Sequence, residues 1–258
     1  MAGPTPQPKV NQLVTKVRLL SAALFETGIL NEIAWQAAFN ESVELENTPH
    51  ARHALISRVA LFSLKGDMDN AKSTLELYLG RFGEDWMWHA SRASIAPQLC
   101  RPDFVAEMIK HGPPDGDAGA LESAMNFAAQ SGQLISANKF LERLKIMKAS
   151  VLDSERAHYL SEIAVSADYL NEAGVAESDV AERIALAWRV AQSHAKVARN
   201  IDLSANKEGV SYNFGIYAGV ERCVEVQRHI DAALVRQFDD PLSEHLSIGV
   251  FPVAKGVV

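Results

Sequence analysis

The chain has 258 residues, 48% of them hydrophobic and 22% charged, with a formal net charge of −7. Such a composition excludes a largely disordered chain, and the acidic balance gives phosphate backbones and anionic lipid no general attraction. No apolar run approaches the ~18 residues of a membrane span. The first residues lack the basic-then-apolar pattern of a secretory signal. Cys100 and Cys223 have no metal-like or C-x-x-C spacing. A cytoplasmic protein with no membrane and no nucleic-acid partner is the expectation.

In chain order, Pro4, Pro6 and Pro8 hold residues 1–9 out of a helix, as a flexible lead-in. From about Val10 the pattern turns helical, with Leu13, Val17, Leu20, Ala23 and Leu24 on one side, until Thr27-Gly28. A second helix runs from about Leu30 to Leu45. It places Leu30, Ile33, Ala34 and Ala37 together and Trp35 and Phe39 on another side. Pro49 then disfavours helix before it.

The stretch from Arg52 to Phe82 reads as a helical hairpin. Its first helix carries Leu55, Ile56, Val59 and Phe62 and stops at Lys65-Gly66. Its second carries Met68, Ala71, Leu75, Tyr78 and Phe82 in one stripe, with Asp67 as N-cap. The design returns as Leu121, Ala124, Ala128, Gly132, Leu134, Ala137, Leu141 and Leu144. Gly66 and Gly132 are 66 residues apart, as are Ala71 and Ala137, which suits two periods of ~33 residues. A degraded unit lies between, with Trp86, Trp88, His89, Ala93 and Ile95 in its first helix. A turn at Arg101-Pro102-Asp103 and a short helix Phe104–His111 complete it, with Ala106 at the place of Ala71. A loop follows at 111–117, and a longer hairpin then pairs Leu152–Glu172 with Glu177–Arg199 about Ala173-Gly174.

Beyond residue 200 the period changes. Val210, Tyr212, Phe214, Ile216 and Ala218 alternate with Ser211, Asn213, Gly215, Tyr217 and Gly219, as do Leu246, Ile248 and Val250 with their neighbours. Between them Val220–Phe238 is helical, with Val220, Val224, Ile230, Leu234 and Phe238 inward. The expected order is strand, helix, strand, which is a βαβ unit if the strands are parallel. Its rival is a single glycine-interrupted helix over 206–237. The domains expected are thus a helical-repeat domain over 10–200 and a C-terminal element over 201–258.

Leu55, Phe62, Gly66, Ala71 and Leu75, and later Leu121, Ala128, Gly132, Ala137 and Leu141, stand where tetratricopeptide repeats place their signature residues. The chain resembles that family clearly over 50–150 and loosely over 10–200. It lacks the family's tryptophan, its glycine inside the first helix and its closing proline. The resemblance implies a mainly α fold of stacked antiparallel helix pairs, an α-solenoid, whose concave face binds a protein or peptide.

Motifs for chemistry are sparse. The chain contains no G-x-x-x-x-G-K-[ST], no G-x-G-x-x-G and no G-x-S-x-G. Glu155-x-x-His158 has no second copy to complete a di-iron site. His50-x-x-His53 lacks a third metal ligand, and Asp115-Gly-Asp117 lacks the rest of a calcium loop. No catalytic residue, metal or cofactor is expected. Lys139, Arg143, Lys145, Lys148, Arg189, Lys196 and Arg199 read as solvated faces.

Trp86 and Trp88, two apart on a helix, cannot share one buried stripe, so Trp86, Trp88, His89 and Arg92 form the candidate partner-binding cluster. The expected function is non-catalytic binding as an adaptor, chaperone or inhibitory subunit. A second expectation concerns the edge of strand 210–218, with Tyr212, Phe214 and Tyr217, as an association seam for a second copy or a partner's strand, Pro252 blunting the other edge. The alternative function is an enzyme or nucleic-acid effector whose site the C-terminal element builds against the helices, with Tyr212, Tyr217, Arg222 and His229 as its polar groups.

Overall fold

The computed structural model describes residues 8–147 and 156–253. Among them are eleven helices and three strands, so the chain is mainly α with a small C-terminal sheet. Pro4, Pro6, Lys148, Leu152 and Glu155 lie outside the described residues, as does the side chain of Arg199. The chain divides into two compact units at Ile95/Ala96, inside one helix. The boundary expected at residue 200 falls instead within a strand, so the last helices and the sheet share a unit.

The first unit holds α1 (Pro8–Thr27), α2 (Glu32–Leu45), α3 (Ala51–Lys65), α4 (Met68–Phe82) and most of α5 (Trp86–Leu99). Pro8 starts α1, where its missing N–H costs nothing. The core joins Leu13 and Leu20 of α1 to Trp35 and Ala38 of α2 and to Ala54, Leu61 and Leu64 of α3. The inward face of α2 is therefore the Trp35 side. Ile33, 86% exposed, and the exposed Ala34 and Ala37 turn outward, contrary to the expected stripe. Size decides this: Trp35 buries more apolar area than the smaller residues, stacks on Phe39 at 5.2 Å and donates from Nε1 to the Leu61 carbonyl at 2.7 Å. An ion network centred on the buried Arg58 links α2, α3 and α4. Arg58 meets Glu46 at 2.7 Å and donates to the Ser42 carbonyl at 3.1 Å, while Glu46 also takes Arg81 at 2.9 Å.

Four helices end in one hydrogen-bond pattern. Asp67 N–H reaches the Phe62 carbonyl and Gly66 N–H the Ser63 carbonyl. The same pair of bonds joins Arg101 to Ala96 and Cys100 to Pro97, then Gln133 to Ala128 and Gly132 to Ala129, then Val175 to Leu170 and Gly174 to Asn171. This is the Schellman closure, whose pivotal residue takes positive φ; Gly66, Cys100, Gly132 and Gly174 have φ of 80°, 52°, 78° and 69°. The closure thus recurs at intervals of 34 residues from Gly66 to Cys100, 32 from there to Gly132 and 42 on to Gly174. Counting from Cys100 also corrects the middle unit. Ala71 and Ala137 lie five residues past their glycines, and five past Cys100 is Val105, fully buried, whereas Ala106 is exposed.

The second unit contains α6 (Pro102–His111), α7 (Ala118–Gln130), α8 (Leu134–Ile146), α9 (Ala157–Glu172), α10 (Glu177–His194), β1 (Val197–Asn206), β2 (Gly209–Ile216), α11 (Val220–Gln237) and β3 (Leu246–Pro252). Neighbouring helices pack in pairs, α7 on α8 and α8 on α9, while α10 packs on α11. The sheet order is β1-β2-β3, with β1 antiparallel and β3 parallel to β2. The expected strands and their helical crossover are present, and the single-helix rival is excluded. The strand β1 was not expected, nor was the end of α10 at His194 instead of Arg199.

Val210, Tyr212, Phe214 and Ile216 of β2 are buried, and so are their register neighbours Leu203, Leu246 and Ile248. This is the face that the helices cover. The alternate positions Asp202, Ser204 and Ser247 are exposed. On α11 the inward residues are Cys223, Val226, Ile230 and Leu234. Val220 and Val224, expected inward, are 62% and 46% exposed.

Candidate functional site

The tryptophan cluster is built by the start of α5. Asp85 caps that helix by accepting from Trp88 N–H at 3.0 Å, and it also accepts from the Tyr78 hydroxyl at 2.7 Å and pairs with Arg52 at 3.3 Å. Burial and then that carboxylate push the Tyr78 hydroxyl far above its ordinary range, so Tyr78 remains a donor. Trp88 and His89 are buried, their rings edge-to-face at 4.9 Å. The Arg92 guanidinium lies 4.4 Å from the Trp88 ring centre, a cation–π contact on a partly exposed side chain. Trp86 is half-buried. Thus Trp88, His89 and Arg92 come together, and Trp86 is the tryptophan that solvent reaches.

The C-terminal candidates fare differently. β2 is the middle strand, paired on both sides, so 210–218 presents no free edge and the seam expected there does not exist. Tyr212 and Phe214 are fully buried: the Tyr212 hydroxyl donates to the Gln130 carbonyl at 2.6 Å, and Phe214 stacks on Trp188 at 5.2 Å. Burial drives the Tyr212 hydroxyl far above its ordinary range. Tyr217, past the end of β2, packs under the Lys196 ammonium at 5.3 Å. Arg222 donates to the His194 carbonyl at 2.9 Å, closing the end of α10, and His229 stacks on His194 at 4.2 Å. Tyr212 is thus sealed inside while Arg222 and His229 stand on the surface, so these four groups do not converge on one reacting atom.

A polar cleft of ≈ 190 Å³ does open beside the β1–β2 turn, lined by Asn206, Glu208, Ser211, Ser243, Glu244 and His245. His245 Nδ1 lies 3.0 Å from the Tyr169 hydroxyl, which also donates to the Glu208 carbonyl at 3.4 Å. Leu242, with φ of 59°, bends the chain into this cleft and accepts from both His245 and Leu246 N–H. No sequence signal marked Tyr169 or His245, which are 76 residues apart. Among the described residues no group of three His, Cys, Asp or Glu side chains is arranged to hold a metal. Burial raises the thiols of Cys100 and Cys223, which keeps both protonated at neutral pH. No described helix is long and apolar enough to cross a membrane.

The architecture defines a mainly α protein of neighbouring helix pairs, compatible with a helical-repeat fold. No known protein family, no curated protein and no solved structure matches the chain.

Proposed function

We propose that the chain is a non-catalytic scaffold that binds a protein or peptide through its helical hairpins. The observation that supports this reading is the recurrent closure at Gly66, Cys100, Gly132 and Gly174. Such a recurrence is compatible with a chain of repeated helical units, an architecture whose faces serve binding. Trp86 is the first contact residue to test, because it combines a large rigid ring with access to solvent, and Arg92 is the second. Trp88, buried beneath it, holds the Arg92 guanidinium at 4.4 Å. The test is selection from a displayed peptide library on the immobilised full chain, followed by binding of the enriched peptides to Trp86→Ala and Arg92→Ala. The reading expects at least about a tenfold loss of affinity in Trp86→Ala with an unchanged melting temperature. Enriched peptides indifferent to both substitutions, or no enrichment, defeat it.

A second reading, a small-molecule site made by the C-terminal element, is favoured by His245, which lines the polar cleft and is held by Tyr169 of α9. A melting-temperature screen against small polar metabolites tests it. A stabilising compound whose effect vanishes in His245→Ala supports it, and a screen without one removes it.

A further inference from the structure

With β2 enclosed, attention passes to the outer strand β3 and the helix beside it. The free side of β3 is closed by its own chain. Gln227 Nε2 donates to the Ile248 carbonyl at 2.9 Å and Gln227 Oε1 accepts from Val250 N–H at 3.2 Å, so one side-chain amide occupies the place of a neighbouring strand's peptide group. Val253 N–H points the other way, to Ile216. By alternation Pro252, between them in phase with Val250, turns its ring nitrogen outward and offers no donor. A second strand is therefore not the natural neighbour on this side.

The flank of α11 next to Gln227 is different. At 100° per residue, Val224, Arg228, Asp231 and Val235 fall within about 60° of one another. Val224 is 46% and Val235 70% exposed, and Arg228 and Asp231 are exposed between them. Gln227 Nε2 also donates to Asp231 Oδ1 at 2.8 Å, holding that carboxylate on the flank. The order valine, arginine, aspartate, valine is its own complement when read in reverse. If two copies of α11 lie antiparallel across a two-fold axis, Val224 meets the second copy's Val235 and Arg228 meets its Asp231. Both contacts then occur twice. A parallel arrangement would set each valine and each charge against its own like. Opposite charges placed between two apolar residues fix register and reject the wrong alignment, and an isologous contact needs this self-complementarity.

We propose that this flank of α11 is a homodimer interface, occupied by the same flank of a second copy in antiparallel register. The experiment is sedimentation equilibrium of the full chain and of Arg228→Asp, Asp231→Arg and the double variant. The wild type dimerises, each single reversal weakens the dimer by about tenfold or more, and the double variant returns to within about threefold of wild type, because each reversed charge again faces its opposite. Val224→Asp dissociates the dimer with an unchanged melting temperature of the monomer. A wild type that stays monomeric up to about 100 μM overturns the proposal. So does a dimer indifferent to all four variants, which places the contact elsewhere. A double variant no tighter than the singles overturns the register. None of these outcomes bears on peptide binding through Trp86.

Discussion

Cys100 stands where glycine stands at 66, 132 and 174, with φ of 52° and only 8% of its surface exposed. A side chain in left-handed backbone costs about 1–2 kcal/mol, and that cost is borne equally by cysteine and alanine. Cys100→Gly should therefore be more stable than Cys100→Ala by about 1 kcal/mol, the reverse of their order inside a helix; urea midpoints of the two variants decide it. Cysteine at the pivot carries no turn signal of its own, so Pro102, two residues on, sets the expected turn at Arg101-Pro102-Asp103, too far along the chain. His53 offers a second residue-scale test. Burial, then His50 and Arg52, lower its pKa in the folded chain, so below about 6.5 the unfolded chain takes a proton that the folded one resists. Stability is thus fully present above that pH and falls as pH drops toward the folded value. His53→Gln should lose less stability than wild type between about pH 7.5 and 5.5. Equal losses in the two proteins would show that His53 does not contribute.

At the scale of the helix pair, Gly66 and Gly132 close their turns alike but have different surroundings. A Cβ at Gly66 meets nothing within 4 Å, whereas one at Gly132 would collide with Ile184 Cδ1 and fall 3.2 Å from Val180 Cγ1, both on buried side chains of α10. Gly66→Ala should cost about 1 kcal/mol from backbone strain alone, and Gly132→Ala about 1–3 kcal/mol more from overpacking. Similar denaturation midpoints would show that α10 yields freely at this contact. Ala71→Leu and Ala137→Leu, both fully buried in their hairpins, should each cost about 1–3 kcal/mol for the same reason. These helices were legible because glycine turns and 3.6-residue stripes are local signals. The strand β1 was not. Ile201, Leu203 and Ala205 do alternate with polar residues, but α10 ends at His194 without glycine or proline, and nothing nearby announces the change. On α11 and α2 the helix was legible and its orientation was not. Which of two apolar stripes turns inward depends on the neighbours: Cys223 and Val226 are chosen over Val220 and Val224 because the chain's own strand and helix lie on that side.

For the second unit as a whole, the sequence gives the C-terminal element the look of an appendage, and the contacts contradict that. Tyr212 donates to the end of α7 at Gln130, and Phe214 stacks on Trp188 of α10. Glu162 of α9 accepts from Ala205 N–H at 2.9 Å. Arg183, buried in α10, donates to the Asp240 carbonyl and lies 4.2 Å from the centre of the Phe238 ring. Removing 207–258 would strip Trp188 of its stacking partner and leave Arg183 with one carbonyl acceptor, that of Asp179. A buried aromatic that loses its partner and a buried cation that loses one of its two acceptors and its ring partner together cost several kcal/mol, a large share of the whole stability of a domain. The core of α1, α2 and α3 is built from residues of the first unit. A chain ending at Asn206 is therefore expected to lose amide protection throughout α7–α10 while Ala54, Leu61 and Leu64 of α3 keep theirs, as hydrogen exchange read by mass spectrometry would show. Retained protection in α7–α10 would mean that the helices stand without the sheet and that the sheet is a cap.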